Sequence, residues 1–580
     1  MFQPNRNFLW TRVLVDELAR AGLKVVVIAP GSRSTPLAIA FHEHPNIKSY
    51  IHLDERSAAF FALGMAMNWD EPIAIVCTSG TAAANFFPAI VEAHQTQTPL
   101  LVLTTDRPPE LRYSGANQTI DQTKIYGDYA LWSVDAPLPE GNPSAMLIRS
   151  LRSLACRAYA TANGIPKGVV HINLPFRPPL EPTLVESDHT EVDTPKVDQS
   201  PFVQISRGVV APTDAQVAML SDIMNDYEHG IIVCGPRSPM NNFPEAIAAV
   251  SRASGYPIFA DVLSGLRFGT HTANTAVIGG YDNLPVEWEQ PDVVVQFGAV
   301  PTSKTLNTYL DSLTPQHRIL IKGNGIWADD TFRLTDFIQA DPELLCGQMM
   351  NHLHYRGYSG WAESIWEADA LVKHRLAESD ADFDGMIFRE IAEALPGGSI
   401  IFAGNSLPVR HADEFLSPGS KRLQVLANRG ASGIDGVTST ALGVAATSGK
   451  PLVLVIGDIS FYHDMNGLLA IQRFGLKVTV VLLNNDGGGI FHRLPIAKFE
   501  PPFTDLFLTP HGLDFAPVAQ LYGLEFASVE DRPSFRQAFT ASLYDSRSHL
   551  IEYKSDARQD AARRNELKRL IKSSKEIAHA

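Results

Sequence analysis

Residues 452–491 read LVLVIGDISFYHDMNGLLAIQRFGLKVTVVLLNNDGGGIF, and this stretch decides the fold. An unbroken apolar run, 452–456, ends in Gly457-Asp458. A helical stretch follows, and a second apolar run, 478–483, ends in Asn484-Asn485-Asp486-Gly487-Gly488. Strands that are apolar at every position are covered on both faces. Two of them joined through a helix form a βαβ unit of a parallel sheet. Asp458 and Asn485 stand 27 positions apart, so both fall at the carboxyl ends of neighbouring strands. Open α/β sheets bind their ligands there. An Asp carboxylate, an Asn amide oxygen and a carbonyl from the glycine-rich turn are hard donors, suited to Mg²⁺ that also holds phosphates. The glycines let the backbone approach an anion. Either half alone would read as a helix cap or an ordinary turn. Both together, at this spacing, favour a diphosphate–metal site.

The same alternation of short apolar runs with helical stretches extends outward. Strands are predicted at 25–28, 49–53, 73–77, 100–104 and 169–173, then at 230–234, 257–260, 293–297 and 318–321. A third series lies at 399–403, 424–427, 452–456, 478–483 and 549–553. The fold class is α/β, with three doubly wound parallel-sheet domains spanning 1–185, 200–365 and 375–580. The first and third read as variations on one architecture. The Pro- and acid-rich stretch 175–212 reads as a linker. The charged tail after Lys554 reads as a solvated helix.

Composition narrows the function. Of 580 residues, 45% are hydrophobic and 19% charged, ordinary for a globular chain. Lys and Arg total 48 against 63 Asp and Glu, a net charge of −15, which disfavours nucleic-acid and anionic-membrane partners. No apolar run approaches the ~18 residues of a membrane span. Cys77, Cys156, Cys234 and Cys346 are scattered and form no CxxC pair, as expected of reduced core thiols in a cytoplasmic protein.

The Gly457-Asp458 … Asn484-Asn485 pattern resembles the GDG…NN signature of the thiamine-diphosphate-dependent enzymes, with Ile459 replacing the third residue. The resemblance implies thiamine diphosphate and Mg²⁺, with Mn²⁺ as an alternative metal. It assigns Asp458, Asn485 and the Gly487 carbonyl to the metal, and adds Gly457, Gly433 and Ile434 to the cofactor contacts, with Ile434 beneath the bent cofactor. It also implies a glutamate in the first domain that hydrogen-bonds the aminopyrimidine ring, and Glu55 in YIHLDER (50–56) matches. The three domains become pyrimidine-binding, central and diphosphate-binding. In this family first and third domains of different subunits share the cofactor, so a homodimer or homotetramer is implied.

Several further segments resemble the menaquinone-pathway carboligases of that family. They are APGSRSTPLA (29–38), HLDERSAAFFALG (52–64), TSGTAAANFFPAIVEA (78–93), TTDRPPELR (104–112), GNSLPVR (404–410), NRGASGIDG (428–436) and NNDGGGIF (484–491). This implies a transferase that decarboxylates 2-oxoglutarate and adds the succinyl carbanion equivalent to isochorismate in a 1,4 manner. Both substrates carry two carboxylates, so the site needs cations, and Arg pairs with a carboxylate bidentately. Arg33, Arg107, Arg410 and Arg429 lie in motif loops and supply them. The resemblance places Gln118, Ser406 and Arg410 near the reacting centre, Ser32 and Asn117 on the substrates, and Ile490 and Phe491 as an apolar wall. Lys304 is the central-domain cation, followed here by Thr305. No GxGxxG follows a strand in the central domain and no P-loop occurs, so neither flavin nor ATP is expected. A 2-oxoacid decarboxylase or acetohydroxyacid synthase would need fewer arginines. A non-catalytic scaffold would lack Glu55, Asp458 or Asn485.

Overall fold

The computed structural model describes residues 4–188, 199–284 and 289–573. It contains three six-stranded sheets in which every pairing is parallel. The first is built from β1 (Val25–Ile28), β2 (Lys48–Ile51), β3 (Ile73–Cys77), β4 (Leu100–Asp106), β5 (Ala130–Asp135) and β6 (Val169–Pro175), in the order β2-β1-β3-β4-β6-β5. The second uses β7 (Gly230–Cys234), β8 (Ile258–Ala260), β9 (Val277–Ile278), β10 (Val293–Phe297), β11 (His317–Ile321) and β12 (Asp336–Ile338). The third uses β13 (Ser399–Ala403), β14 (Leu423–Leu426), β15 (Leu452–Gly457), β16 (Thr479–Asn484), β17 (Glu525–Val529) and β18 (His549–Lys554). Its order, β14-β13-β15-β16-β18-β17, repeats the first sheet strand for strand. The central order, β12-β11-β10-β7-β8-β9, is that of a dinucleotide-binding fold, with the chain reversing direction between β7 and β10.

By contacts the chain forms two compact units, 1–208 with 428–449 and 463–476, and the remainder. In the first unit, Val26, Ile28, Ala74, Val76, Leu101 and Leu103 bury one face of the sheet against the Arg6–Ala21 and Ala145–Ala162 helices. On the other face the Glu55–Trp69 helix carries Ala58, Ala59, Ala62, Gly64 and Ala66, a run of small residues that admits a second backbone. The Val437–Ser448 helix fills that space. A Cβ on Gly64 would stand 1.9 Å from the Thr440 carbonyl oxygen, and one on Gly443 2.0 Å from that of Phe61.

In the second unit, Arg267 is fully buried and links the central sheet to the Leu407–Phe415 helix. It donates to the carbonyls of Ala260 (2.7 Å), Asp413 (2.6 Å) and Leu416 (2.8 Å), and pairs with the Asp413 carboxylate. Breaking such a buried pair by removing one partner costs about 3–5 kcal/mol.

The structure differs from the sequence reading in particular places. The helical stretch after β3 is not continuous: it breaks at Phe86, two residues before Pro88, into Thr81–Asn85 and Phe87–Thr96. The C-terminal segment is a helix as expected, Ala557–Lys572, but a docked one and not a solvated one. Leu567 and Ile571 enter the apolar cluster on one face of the central sheet, while Arg564 and Lys568 pair with the buried Glu414. Part of the predicted linker, 189–198, lies outside the described residues. Its flanks are docked: Asn5 donates to the carbonyls of Glu181 and Thr183, and Arg6 pairs with Asp188. The four cysteines are free and buried. Among the described residues no helix is long and apolar enough to cross a membrane.

The glycine contact yields a stability prediction. Gly64→Ala puts a methyl group into the Thr440 carbonyl and should destabilise the protein by roughly 1–3 kcal/mol, the usual cost of overpacking. Thermal unfolding of the variant measures it, and an unchanged midpoint would show that the two helices part freely.

Candidate active site

The candidate residues fall into two groups, one in each compact unit. In the first unit they line the carboxyl edge of the β1–β6 sheet. Ser32 and Arg33 occupy the turn after β1, where the Arg33 amide donates to Thr78 Oγ1 (3.3 Å) and Nη1 donates to the Phe176 carbonyl (2.9 Å). Arg107 follows β4 directly and donates to Ser79 Oγ. Gln118 Nε2 donates to the Ser79 carbonyl (3.0 Å), and Ser79 Oγ donates back to the Gln118 carbonyl (3.1 Å). Ser79 therefore gathers Arg107 and Gln118, with Asn117 alongside in sequence. Burial and the neighbouring Arg107 charge both push the Arg33 guanidinium down from its ordinary value. Two cations held this close are an arrangement that an anionic ligand relieves.

Glu55 opens its helix, one residue after the cap Asp54, whose side chain accepts from the Ser57 amide (2.9 Å). Its position in the first turn suits a negative charge. Ser57 donates to the buried Asp464 carboxylate (2.9 Å), which also accepts from the Ser439 amide (2.7 Å) and hydroxyl (3.0 Å). Asp464 thus ties the Glu55 helix to the helix after NRGASGIDG. That loop carries Arg429, Gly433 and Ile434, and its Gly436 packs on Phe60 of the Glu55 helix.

In the second group, Asn485, Gly487, Ile490 and Phe491 lie at and just after the turn that follows β16, with Asp458 against it, whereas Lys304 stands apart in the central-sheet region. Asp458 directly follows β15 and is 2% exposed. Its Oδ1 accepts from the Ile459 amide (2.7 Å), and its Oδ2 from the amides of Asn485 (3.2 Å) and Gly487 (3.0 Å). Burial nevertheless raises its pKa above the ordinary carboxylate value. Asn485 Oδ1 is buried with no hydrogen-bond partner. Gly487 has φ +141°, and a Cβ there would stand 2.0 Å from the Leu508 carbonyl. A buried carboxylate, an unpaired amide oxygen and a turn that only glycine can make fit a divalent cation with oxygen donors. Gly457 precedes this cradle as the last residue of β15.

Ile490 and Phe491 follow in a short 3₁₀ segment, Gly489–Arg493, with Phe491 edge-on to Phe507. Ser406, at φ +71°, immediately precedes the Leu407–Phe415 helix, and Arg410 Nη1 donates to its carbonyl (2.6 Å). Gln118, Ser406 and Asp486 all have left-handed φ values; such non-glycine strain collects at working sites. Lys304 is the exposed first residue of the Lys304–Ser312 helix.

Sequence reasoning missed four residues that shape these groups. His511 Nε2 lies 3.3 Å from Asp458 Oδ2, and nothing in LTPHGLD signals that approach. Gln122 accepts from the Gly80 amide (2.8 Å) and donates to Asn173 (2.9 Å), fixing the Ser79 turn from beneath. Asp464 and Glu92 are the others; both read as ordinary helical or loop acids until the fold buries them.

Comparison with known proteins adds a lineage. Family models for the thiamine pyrophosphate enzymes match throughout: the N-terminal TPP binding domain at residues 10–125, the middle domain at 197–403 and the C-terminal TPP binding domain at 415–553. The chain is 52% identical over 575 residues to the 2-succinyl-5-enolpyruvyl-6-hydroxy-3-cyclohexene-1-carboxylate synthase of Roseiflexus castenholzii, covering 97% of this chain and 98% of that one. It is 45% identical to the synthase of the same name from Haloarcula marismortui, with 98% of both chains covered. Its fold resembles benzoylformate decarboxylase from Polynucleobacter necessarius, with TM-score 0.69, 16% identity, and coverage of 94% of this chain and 98% of that one.

Asp464 carries a pH prediction. Burial raises its carboxyl from 3.8 to about 6, against the hydrogen bonds from Ser439 and Ser57 and the nearby Arg56 charge, which lower it. The folded protein keeps this proton where the unfolded chain releases it. The stabilisation is therefore complete below about pH 4 and is lost as pH rises through about 6. Asp464→Asn removes the titration. The unfolding free energy of the native protein minus that of the variant should fall between pH 4 and 6 and level off above; a pH-independent difference would contradict the assignment.

Proposed function

The chain belongs to the thiamine-diphosphate-dependent 2-succinyl-5-enolpyruvyl-6-hydroxy-3-cyclohexene-1-carboxylate synthases, and on that premise we propose how its residues divide the reaction. It is a transferase of menaquinone biosynthesis that uses thiamine diphosphate. Its substrates on this reading are 2-oxoglutarate and isochorismate. The bound cofactor supplies a nucleophilic carbon and an electron sink, which permit loss of CO₂ and transfer of the four-carbon remainder to the acceptor.

The remaining work belongs to the protein. Asp458, Asn485 and the Gly487 carbonyl hold Mg²⁺, or Mn²⁺ in its place, against the diphosphate. Gly457, Gly433 and Ile434 would contact the cofactor, the two glycines leaving room for it and Ile434 supporting it from an apolar side. Glu55 would share a proton with the aminopyrimidine ring, and the side on which that proton rests would set the ring's tautomer. Gln118, Ser406 and Arg410 orient the reacting groups. Ser32, Arg33, Arg107, Asn117, Lys304 and Arg429 bind the carboxylates of the two substrates, and Ile490 with Phe491 excludes water from the reacting carbon. An assembly of at least two copies goes with this reading.

The observation that carries the substrate assignment is the Arg33–Arg107 pair at one sheet edge, where burial first and the neighbouring Arg107 charge second lower the pKa of the Arg33 guanidinium. Each charge-assisted contact to a dicarboxylate is worth about 1.5–3 kcal/mol. A pocket for pyruvate or another monoacid has no use for both.

A spectrophotometric assay of isochorismate consumption tests the reaction. Loss of isochorismate should require thiamine diphosphate, a divalent metal and 2-oxoglutarate together. No loss of isochorismate, with turnover of pyruvate or another 2-oxoacid on the same cofactor instead, would overturn the substrate reading. Glu55→Gln should keep metal-dependent cofactor binding and reduce turnover by at least about 100-fold, within the range of a lost acid–base group. Asp458→Ala should instead weaken cofactor binding at least about tenfold, as loss of metal support does. Unchanged turnover in the first variant, or unchanged affinity in the second, would refute the corresponding role.

A further inference from the structure

We propose that Glu92 is the positioning residue of the NRGASGIDG loop, filling with its own carboxylate a backbone anion site that sets the projection of Arg429 and Ile434. The functional part of this inference rests on the reading above; the structural part does not.

Glu92 lies in the Phe87–Thr96 helix and is 3% exposed. A carboxylate so buried is costly unless hydrogen bonds replace its water. Three consecutive amides do so. Gly430 N–H donates to Oε1 (2.7 Å), and the N–H groups of Ala431 (2.7 Å) and Ser432 (3.3 Å) donate to Oε2. Successive amides converging on one point form a nest, and its last residue, Ser432, has φ +63°. A nest of this kind binds an anion, and here the anion is a side chain of the same chain. The approach is close enough that a Cβ on Gly430 would stand 3.0 Å from Glu92 Oε1 and 2.7 Å from Gln95 Cβ.

The loop is held at its ends as well. Asn428 Nδ2 donates to Thr440 Oγ1 (3.1 Å), and Gly436 packs on Phe60. Glu92 is the grip on the middle of the loop, immediately after Arg429 and immediately before Gly433 and Ile434. Both oxygens are needed. A glutamine offers one acceptor and one donor, so its NH₂ would face the amides of Ala431 or Ser432 and the nest would lose its anion. The segment would then relax, and a shift of about 1 Å in a substrate-positioning group costs roughly 100-fold in rate.

Glu92→Gln and Gly430→Ala test this in the full-length protein, beside the wild type. Four readings are taken: thermal unfolding, hydrogen–deuterium exchange across 428–436, thiamine diphosphate affinity with Mg²⁺, and kcat/KM for isochorismate. In Glu92→Gln, exchange should accelerate in 428–436 and not elsewhere, cofactor affinity should weaken, and kcat/KM should fall about 100-fold. Glu92→Asp, which keeps the charge, should recover part of all three. A purely structural role would lower the unfolding midpoint while leaving affinity and kcat/KM of the folded protein unchanged, and that result overturns the proposal. Should Glu92→Gln fail to fold, Gly430→Ala is read in the same way, and exchange in the wild type decides alongside it. Amides 430–432 exchanging like an unstructured peptide would overturn the nest itself. The two readings fail separately. Loop loosening without any wild-type isochorismate turnover sinks the reaction and keeps the nest, whereas normal wild-type turnover with an indifferent Glu92→Gln sinks only the positioning role.

Discussion

The interaction on which the site depends is the grip of one buried carboxylate on the turns of two adjacent strands. Asp458 accepts the amides of Ile459, Asn485 and Gly487, so the ends of β15 and β16 are drawn onto a single side chain. Hydrogen bonds to three amides would ordinarily lower a carboxyl pKa, yet burial outweighs them and raises it. A cation beside it would favour the ionised form. The unpaired Asn485 Oδ1 beside it offers a second oxygen donor to such a cation.

A related device recurs in the first unit. Asp464 binds Ser57 and Ser439, and Glu92 binds three loop amides, so two further buried acids convert flexible connections into fixed ones. Between them runs a helix pair packed so closely that Gly64 and Gly443 cannot accept a side chain. Non-directional packing sets the distance there, and the buried acids set the register. The catalytic candidate Glu55 and the loop bearing Ile434 are thereby both fixed to the same two helices.

The sequence was most legible where chemistry and secondary structure coincide. Apolar runs that end in Gly-Asp or Asn-Asn located β15 and β16 to within a residue, because a parallel strand covered on both faces has no polar alternation to confuse it. Edge strands were harder. β5, β9, β12 and β17 are short or partly exposed, and their apolar signal is correspondingly weak. The C-terminal helix misled for another reason. Its charges dominate its composition, whereas its buried side is Leu567 and Ile571 with two cations meeting Glu414, a partner about 150 residues away that only the fold brings near. Glu92, Asp464 and His511 were illegible in the same sense: their partners are backbone amides or acids distant in sequence.

The most direct measurement of the central claim is anomalous scattering from crystals grown with thiamine diphosphate and Mn²⁺. The account predicts one manganese peak coordinated by Asp458, Asn485 Oδ1 and the Gly487 carbonyl. Manganese bound elsewhere, or cofactor bound with no metal at that turn, would contradict it.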